Sequence, residues 1–176
     1  MFSAWRPSKL LPVRALPSAV GALAVLLAGG LLAPTAPGIA VTDAASGNIL
    51  LCRPLPPPAR AALVFTHSIY GGDVVEEFVA PDRHTLRRVA MTTASAAAAE
   101  YYAPNGNVLP AGDRFLVDVP DLDLSELAVR VDRIGAHRVR LADTTLDLVA
   151  AAGDRRRVWL RPATTTIAAR LFGAGC

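Results

Sequence analysis

Acidic residues are missing from the first part of this 176-residue chain, where the first carboxylate is Asp43. Arg6, Lys9 and Arg14 are the only charged residues before it, and residues 19–33 are uncharged and largely apolar. A basic start followed by an apolar run is typical of an export signal or a membrane anchor. The positive-inside rule keeps the basic end in the cytoplasm, so we expect the rest of the chain outside it.

The apolar run is short for a membrane span, which needs about 17–25 apolar residues. It approaches that length only when residues 15–18 are counted with it. We therefore favour a retained anchor at residues 15–33, which places the protein in the cell envelope, attached to the cytoplasmic membrane. The alternative is a cleaved leader, because small residues at Gly38 and Ala40 suit a signal peptidase, and the domain would then be secreted.

A net charge is also missing from the remainder of the chain. The sequence has 18 Lys+Arg and 15 Asp+Glu, and the excess equals the basic residues of the leader. Nucleic-acid binding is therefore not expected, because it needs a basic footprint. The dense cluster at residues 155–157 is interpreted as a solvated turn after Gly153 and Asp154. We predict residues 1–38 as basic n-region with signal or anchor, and residues 39–176 as one extracytoplasmic domain.

Cysteine is scarce, with Cys52 and Cys176 alone in the sequence. A disulfide between them is compatible with an oxidising exterior, although their spacing does not establish one. No His-x-x-x-His spacing is present, so neither a metal site nor a cofactor is predicted. The side chains considered as metal ligands were Asp73, Glu77, His84 and His137.

Short strand-like runs bounded by turn residues make up most of the domain. Apolar and charged residues alternate in residues 128–134, 138–141, 145–149 and 157–160. This alternation is typical of antiparallel strands with one solvated face. Together with turns about every 8–12 residues, it predicts an all-β fold, an antiparallel β-sandwich or small open barrel after an N-terminal transmembrane or signal helix.

Local signals add detail to this prediction. Residues 39–43 and 48–52 are expected to form a hairpin around residues 44–47. Residues 122–127 are predicted as a helical turn. The alanine-rich segment at residues 95–100 has helical propensity, but a loop with one helical turn is an equal alternative.

Residues 63–79 are the most informative segment, with two β-prone runs on either side of Gly71-Gly72. A Gly-Gly pair suits a two-residue turn, because primed turns need positive φ. Counting back from that turn places His67 across from Glu76, and Phe65 across from Phe78.

A carboxylate opposite an imidazole can orient it for acid–base chemistry, so His67 and Glu76 are the candidate catalytic residues. A structural pair that satisfies a half-buried histidine is the favoured alternative, so enzymatic activity is the less expected outcome. Tyr101 and Tyr102 could line a pocket, although packing on the sheet is favoured. The residues predicted to bind a ligand or partner are His67, Ser68, Tyr70, Glu76, Glu77 and Tyr101.

The order of these features resembles the family called domain of unknown function 1850. The resemblance covers residues 39–161, and Glu76 falls on the glutamate of the family pattern. The matching elements are Asp43, Ser46 and Gly47 of the first hairpin, Phe-Thr-His-Ser-Ile at 65–69, Val-Val-Glu-Glu-Phe at 74–78, and the Arg-rich strands at the end.

The resemblance implies an extracytoplasmic, membrane-anchored accessory protein of TAXI-type TRAP transport, without an established biochemical activity. Its partners would be the membrane, through residues 15–33, and a TRAP transporter subunit or binding protein. A small-molecule module that binds an organic acid and a hydrolase-like enzyme using His67 and Glu76 are the alternatives. One departure is that alanines at 96–99 replace a glycine-rich stretch of the family, and glycine allows closer backbone approach.

Overall fold

The computed structural model of the protein describes residue 30 and residues 34–167. Within these residues the chain forms twelve β-strands and two short α-helices. The strands are β1 (Pro34–Asp43), β2 (Ile49–Pro54), β3 (Ala61–Thr66), β4 (Asp73–Val79), β5 (Leu86–Thr93), β6 (Val108–Ala111), β7 (Arg114–Val117), β8 (Leu122–Leu124), β9 (Leu127–Val131), β10 (Arg138–Leu141), β11 (Thr144–Asp147) and β12 (Arg156–Thr166). The helices are α1 (Ala96–Tyr102) and α2 (Leu148–Ala152).

The described strands form two antiparallel sheets. A four-stranded sheet has the order β2-β1-β12-β9, and an eight-stranded sheet has the order β11-β10-β3-β4-β5-β7-β6, with β8 paired to β5. Alternate residues of both sheets point inward and meet in one core. In that core, Ile39 of β1 and Leu160 of β12 pack with Leu63 of β3 and Val139 of β10. The predicted all-β antiparallel sandwich is confirmed.

The hairpin of β3 and β4 exists, but its predicted register is wrong. Thr66 pairs with Asp73, so Glu76 lies opposite Leu63 and not opposite His67. Phe65 likewise faces Val74 and not Phe78. Residues 67–72 form a longer loop in place of the two-residue turn.

Local hydrogen bonds explain the longer loop. The Nδ1 atom of His67 accepts hydrogen bonds from the backbone N–H groups of Ile69 and Tyr70, each at 3.2 Å. These bonds take both amides out of the strand ladder, since a side chain can compete with the sheet for nearby backbone groups. Gly71 and Gly72 do have positive φ, at 65° and 74°, so the predicted conformation of these glycines is confirmed.

Other local predictions had mixed outcomes. The hairpin around residues 44–47 is confirmed, with β1 and β2 as its strands. The alanine-rich segment is helix α1, which begins after Ser95. The helical turn at residues 122–127 is wrong, because residues 122–124 pair with β5 at the sheet edge as β8.

Membrane association lies largely beyond the described structure. No helix among the described residues is long and apolar enough to cross a membrane. Apart from Gly30, the predicted anchor at residues 15–33 lies outside the described residues, as does Cys176. Cys52 is buried in β2 and is disulfide-bonded.

Strand β1 connects the two ends of the sandwich. Its ten residues, at about 3.3 Å each, cover about 30 Å. Pro34 pairs with Thr166 at one end, and Asp43 pairs with Val158 at the other. The second end also carries the β3–β4 loop and the β9–β10 turn, which are joined by a hydrogen bond of 2.7 Å from Thr66 N–H to the Gly135 carbonyl. We call it the distal end.

Candidate functional site

A cleft of about 280 Å³ opens at the distal end between the β3–β4 loop, α1 and the β9–β10 turn. We call it the His67 cleft. Its volume lies just below the range of about 300–1,000 Å³ that is usual for small-ligand pockets. Its lining residues are Phe65, Thr66, His67, Ser68, Ile69, Tyr101, Tyr102, Arg130, Asp132, Gly135 and His137.

His67 forms the buried centre of this region, with 6% of its surface exposed. Its Nδ1 atom is the acceptor for the two loop amides of Ile69 and Tyr70. An imidazole nitrogen that accepts a hydrogen bond carries no proton, so the neutral ring holds its proton on Nε2. His67 therefore shapes its own loop through one nitrogen and offers a donor at the other.

Tyrosine rings surround the His67 imidazole. The ring centroids of Tyr70, Tyr101 and Tyr102 lie 5.0, 5.3 and 5.6 Å from that of His67. Tyr101 and Tyr102 approach it edge-on, an arrangement that aromatic pairs favour at these distances. The four rings therefore form a packed platform rather than separate side chains.

Helix α1 places two of these tyrosines beside His67, because the side chains on its buried face are small. Ala98 and Ala99 are fully buried, so the helix backbone can lie close to the sheet. The hydroxyl of Ser95 caps the helix by accepting a hydrogen bond from Ala98 N–H at 3.3 Å. The alanine-rich segment thus builds the helix that ends in Tyr101 and Tyr102.

His137 forms the opposite wall. Its imidazole stacks on Phe65 with ring centroids 5.5 Å apart and planes inclined by 18°. Burial lowers the pKa of His137, and Asp132 opposes this shift. Its Nδ1 atom is buried and has no hydrogen-bond partner among the described residues. The neutral ring is therefore the favoured form in the folded protein.

Asp132 fixes the turn that carries His137. Its carboxylate accepts a hydrogen bond from Gly135 N–H at 2.7 Å, and its carbonyl accepts one from Ala136 N–H at 3.1 Å. Ala136 adopts a positive φ of 45°, which is uncommon for residues other than glycine. Together with the bond from Thr66 to Gly135, these contacts hold both walls of the cleft in place.

The structure brings together only some of the residues predicted to bind. His67, Ser68 and Tyr101 line the cleft, and Tyr70 belongs to the aromatic platform. Glu77 is not a lining residue of the cleft. It lies on β4, which pairs with β3, and forms an ion pair with Arg60. Its neighbour Glu76 does not line the cleft either.

Glu76 occupies a buried position next to Arg88. The nearest charged atoms are 3.8 Å apart, and the two side chains are 14% and 18% exposed. Burial raises the pKa of Glu76, and the charge of Arg88 opposes the shift. Burial, then the charge of Glu76, raises the pKa of Tyr102, so Glu76 affects the cleft electrostatically. The predicted His67–Glu76 cross-strand pair is absent.

Three lining residues of the β9–β10 region were not predicted as binding residues from the sequence. Arg130 and Asp132 were treated as ordinary charged residues of a strand, and His137 was considered only as a metal ligand. Their positions follow from the pairing of β9 with β12 and of β10 with β3, which are contacts between distant segments. No group of three or more His, Cys, Asp or Glu among the described residues could hold a metal ion.

Exposed apolar side chains surround the mouth of the cleft. Ile69 and Ile134 are 73% and 71% exposed, and Tyr101 and Tyr70 are 57% and 45% exposed. Ile69 and Tyr101 line the cleft, and Tyr70 and Ile134 are each adjacent in sequence to a lining residue. We call these four residues the apolar rim.

Fold and site together define an all-β sandwich domain with an aromatic cleft at one end. Residues 61–148, half of the chain, match the family model described as Domain of unknown function (DUF1850). The chain belongs to this family. The match runs from β3 to the start of α2, and so contains every element that forms the cleft. No curated protein and no solved structure matches the chain.

Proposed function

We propose that this protein is an extracytoplasmic interaction module, an accessory of TAXI-type TRAP transport, that docks a protein partner through the apolar rim. The observation that carries the proposal is the exposure of Ile69, Tyr70, Tyr101 and Ile134 around one cleft. Exposed apolar side chains grouped at one place are typical of protein interfaces.

The composition of the site fits a binding surface. Tyrosine and arginine are enriched among the residues that dominate protein interfaces. Tyr101 and Arg130 both line the His67 cleft, and the packed platform holds the tyrosine rings before a partner arrives. A surface that is already ordered loses less conformational entropy on binding.

The position of the site favours a soluble partner over a membrane subunit. The cleft lies at the distal end, about 30 Å from Pro34 by the length of β1. If the segment before Pro34 anchors the domain, the rim faces away from the membrane. The extracytoplasmic binding protein of the transporter is therefore the partner we propose.

A small organic acid is the second candidate, because Arg130 and His67 both line the cleft. The open cleft and the exposure of both isoleucines favour the protein partner. The proposal assigns no catalytic step to His67 and Glu76, since the observed register separates them.

The test is affinity copurification of the C-terminally tagged full-length protein from native membranes, followed by mass spectrometry. Ile69→Asp and Tyr101→Ala should each abolish recovery of the binding protein. Leu109→Asp is the matched control, because Leu109 is 55% exposed but lies on β6, outside the rim. Recovery of no partner with the unmodified protein, or equal loss with the control, would contradict the proposal.

A further inference from the structure

Four arginines surround a second depression, of about 340 Å³, at the distal end. Arg130 belongs to β9, Arg155 to the turn before β12, and Arg156 and Arg157 to β12 itself. Ala44 and Ala45 of the β1–β2 turn complete the lining. Arg130 also lines the His67 cleft, so the two sites are neighbours.

The sheet register forces two of these charges together. Arg130 and Arg157 are direct cross-strand partners in the antiparallel pair of β9 and β12. Their neighbours Val129 and Val158 point into the core, so both arginines lie on the outer face. Like charges directly opposite each other on a sheet are destabilising.

The protein neutralises this cluster only in part. None of the six ion pairs among the described residues includes any of these four arginines. The nearby carboxylate of Asp43 already accepts hydrogen bonds from the Ser46 hydroxyl at 2.7 Å and from Ala45 N–H at 3.1 Å. Asp154 interacts with Arg133 instead. Hydrogen bonding by Ser46, and to a lesser extent the charge of Arg156, lowers the pKa of Asp43, so this one carboxylate offsets part of the cluster, and the four arginines together keep an excess of positive charge.

Backbone conformation adds to this observation. Arg155 has a φ of 56°, in the left-handed region that favours glycine or asparagine. Arg157 is held by a hydrogen bond of 3.0 Å from Ala44 N–H to its carbonyl, so the β1–β2 turn is fixed against the cluster. The backbone that carries the cluster is thus part of the ordered end of the sheet.

We propose that Arg130, Arg155, Arg156 and Arg157 form an anion site for a small soluble ligand that carries two or more carboxylate or phosphate groups. Each guanidinium presents a planar fork of donors that matches carboxylate and phosphate oxygens. A ligand with one negative charge would leave most of the repulsion in place, whereas a multivalent anion offsets it.

Lipid headgroups could supply the same phosphate chemistry, but the position of the site argues against them. The cluster lies beside Asp43 at the distal end, about 30 Å along β1 from Pro34. A membrane that held the segment before Pro34 would be out of reach of these side chains. The ligand is therefore expected from solution.

The test measures binding of pyrophosphate, citrate and acetate to the full-length protein in non-ionic detergent at low ionic strength by isothermal titration calorimetry. Pyrophosphate or citrate should bind at least about tenfold more tightly than acetate, since more charged hydrogen bonds form. The double variant Arg155→Gln, Arg157→Gln should lose at least about tenfold of that affinity. Arg83→Gln is the matched control, because Arg83 is exposed in the loop at the opposite end of β4.

Thermal unfolding checks that the double variant is folded. Without an anion its melting temperature should equal or exceed that of the unmodified protein, because like-charge repulsion is relieved. Added pyrophosphate should raise the melting temperature of the unmodified protein and not that of the variant. Tyr101→Ala, which changes the apolar rim without adding a charge to the cleft that Arg130 also lines, should leave anion binding unchanged, so this site and the docking surface are tested separately.

Three results would overturn the proposal. Equal affinity for acetate and the multivalent anions, or an equal loss in Arg83→Gln, would show unspecific charge attraction. Arginine-dependent binding to phosphatidylglycerol vesicles without binding of pyrophosphate or citrate would assign the cluster to a membrane surface instead.

Discussion

The imidazole of His137 lies so close to Gly135 that no side chain fits between them. A Cβ atom at Gly135 would be 2.2 Å from Cε1 of His137, well inside van der Waals contact. The imidazole also stacks on Phe65, so a displacement of the ring would disturb that contact. One glycine therefore sets the position of one wall of the His67 cleft.

Gly135→Ala should destabilise the protein by about 1–3 kcal/mol, because overpacking forces the imidazole from its place. Urea unfolding measures the change. The matched control is Gly135→Ala combined with His137→Ala, in which the obstructing ring is absent. The two substitutions should be strongly non-additive. Additive effects would show that the clash with His137 is not the cause.

The stability of the protein should depend on pH through His137. Burial lowers the pKa of His137 below its ordinary 6.5, so the unfolded chain binds a proton more readily than the folded one. The contribution is fully present above pH 6.5 and is lost as pH falls from there towards the folded pKa. Urea unfolding of His137→Gln should show a shallower loss between pH 7.5 and pH 5. An identical pH profile in both proteins would exclude this role.

Glu76 should act in the opposite direction. Burial raises the pKa of Glu76 above 4.5, so the folded protein binds its proton more tightly than the unfolded chain. Stability should therefore fall as pH rises from 4.5 through the raised pKa, and Glu76→Gln should remove that fall. Denaturant midpoints at pH 4 to 7 measure it. Glu77→Gln is the control, since its partly exposed ion pair with Arg60 is expected to contribute less than about 1 kcal/mol.

The observed register of β3 and β4 predicts which cysteines can be crosslinked. Ala62→Cys with Glu77→Cys should form a disulfide readily, because these residues are direct partners. Thr66→Cys with Glu77→Cys would be partners in the register of a two-residue turn and should not crosslink. Peptide mass spectrometry after mild oxidation distinguishes the pairs. Preferential crosslinking of the Thr66→Cys and Glu77→Cys pair would instead support the register with a two-residue turn.

The buried alanines of α1 should be needed for stability and for the position of the tyrosines at the end of the helix. Ala98→Leu should lower stability by about 1–3 kcal/mol and displace the tyrosine platform, because Ala98 is fully buried. Ala97→Leu is the matched control on the exposed face of the same helix. Near-ultraviolet circular dichroism reports on the tyrosines, and denaturant unfolding reports on stability. Equal tolerance of both substitutions would contradict close packing of α1.

The fold class could be predicted because period-two alternation is a local signal. Alternation in residues 128–134 is visible without knowledge of the partner strand, and β9 covers the first four of these residues before the chain turns. The register of β3 and β4 could not be predicted in this way. It depends on whether the His67 side chain or the neighbouring strand binds the amides of Ile69 and Tyr70.

The residues of the candidate site likewise fall into those with a local sequence signal and those placed by long-range pairing. His67 and Ser68 were predicted because they precede a glycine turn, and Tyr101 because two adjacent tyrosines can line a pocket. Both are local patterns. Arg130 and His137 reach the cleft only through long-range strand pairing, so their residue types and spacing did not predict their place in the site. The helical turn predicted at the edge strand β8 is wrong for the same reason, since β8 pairs with β5, which is far away in sequence.

The pairing of the first strand with the last strand has a practical consequence. Because Pro34 lies beside Thr166, the chain enters and leaves the four-stranded sheet at the same end. A bead, a sensor surface or a fluorescent fusion attached after β12 would therefore sit on the far side of the molecule from the His67 cleft. Immobilised in that orientation, the domain presents its cleft and its arginine cluster to the solution.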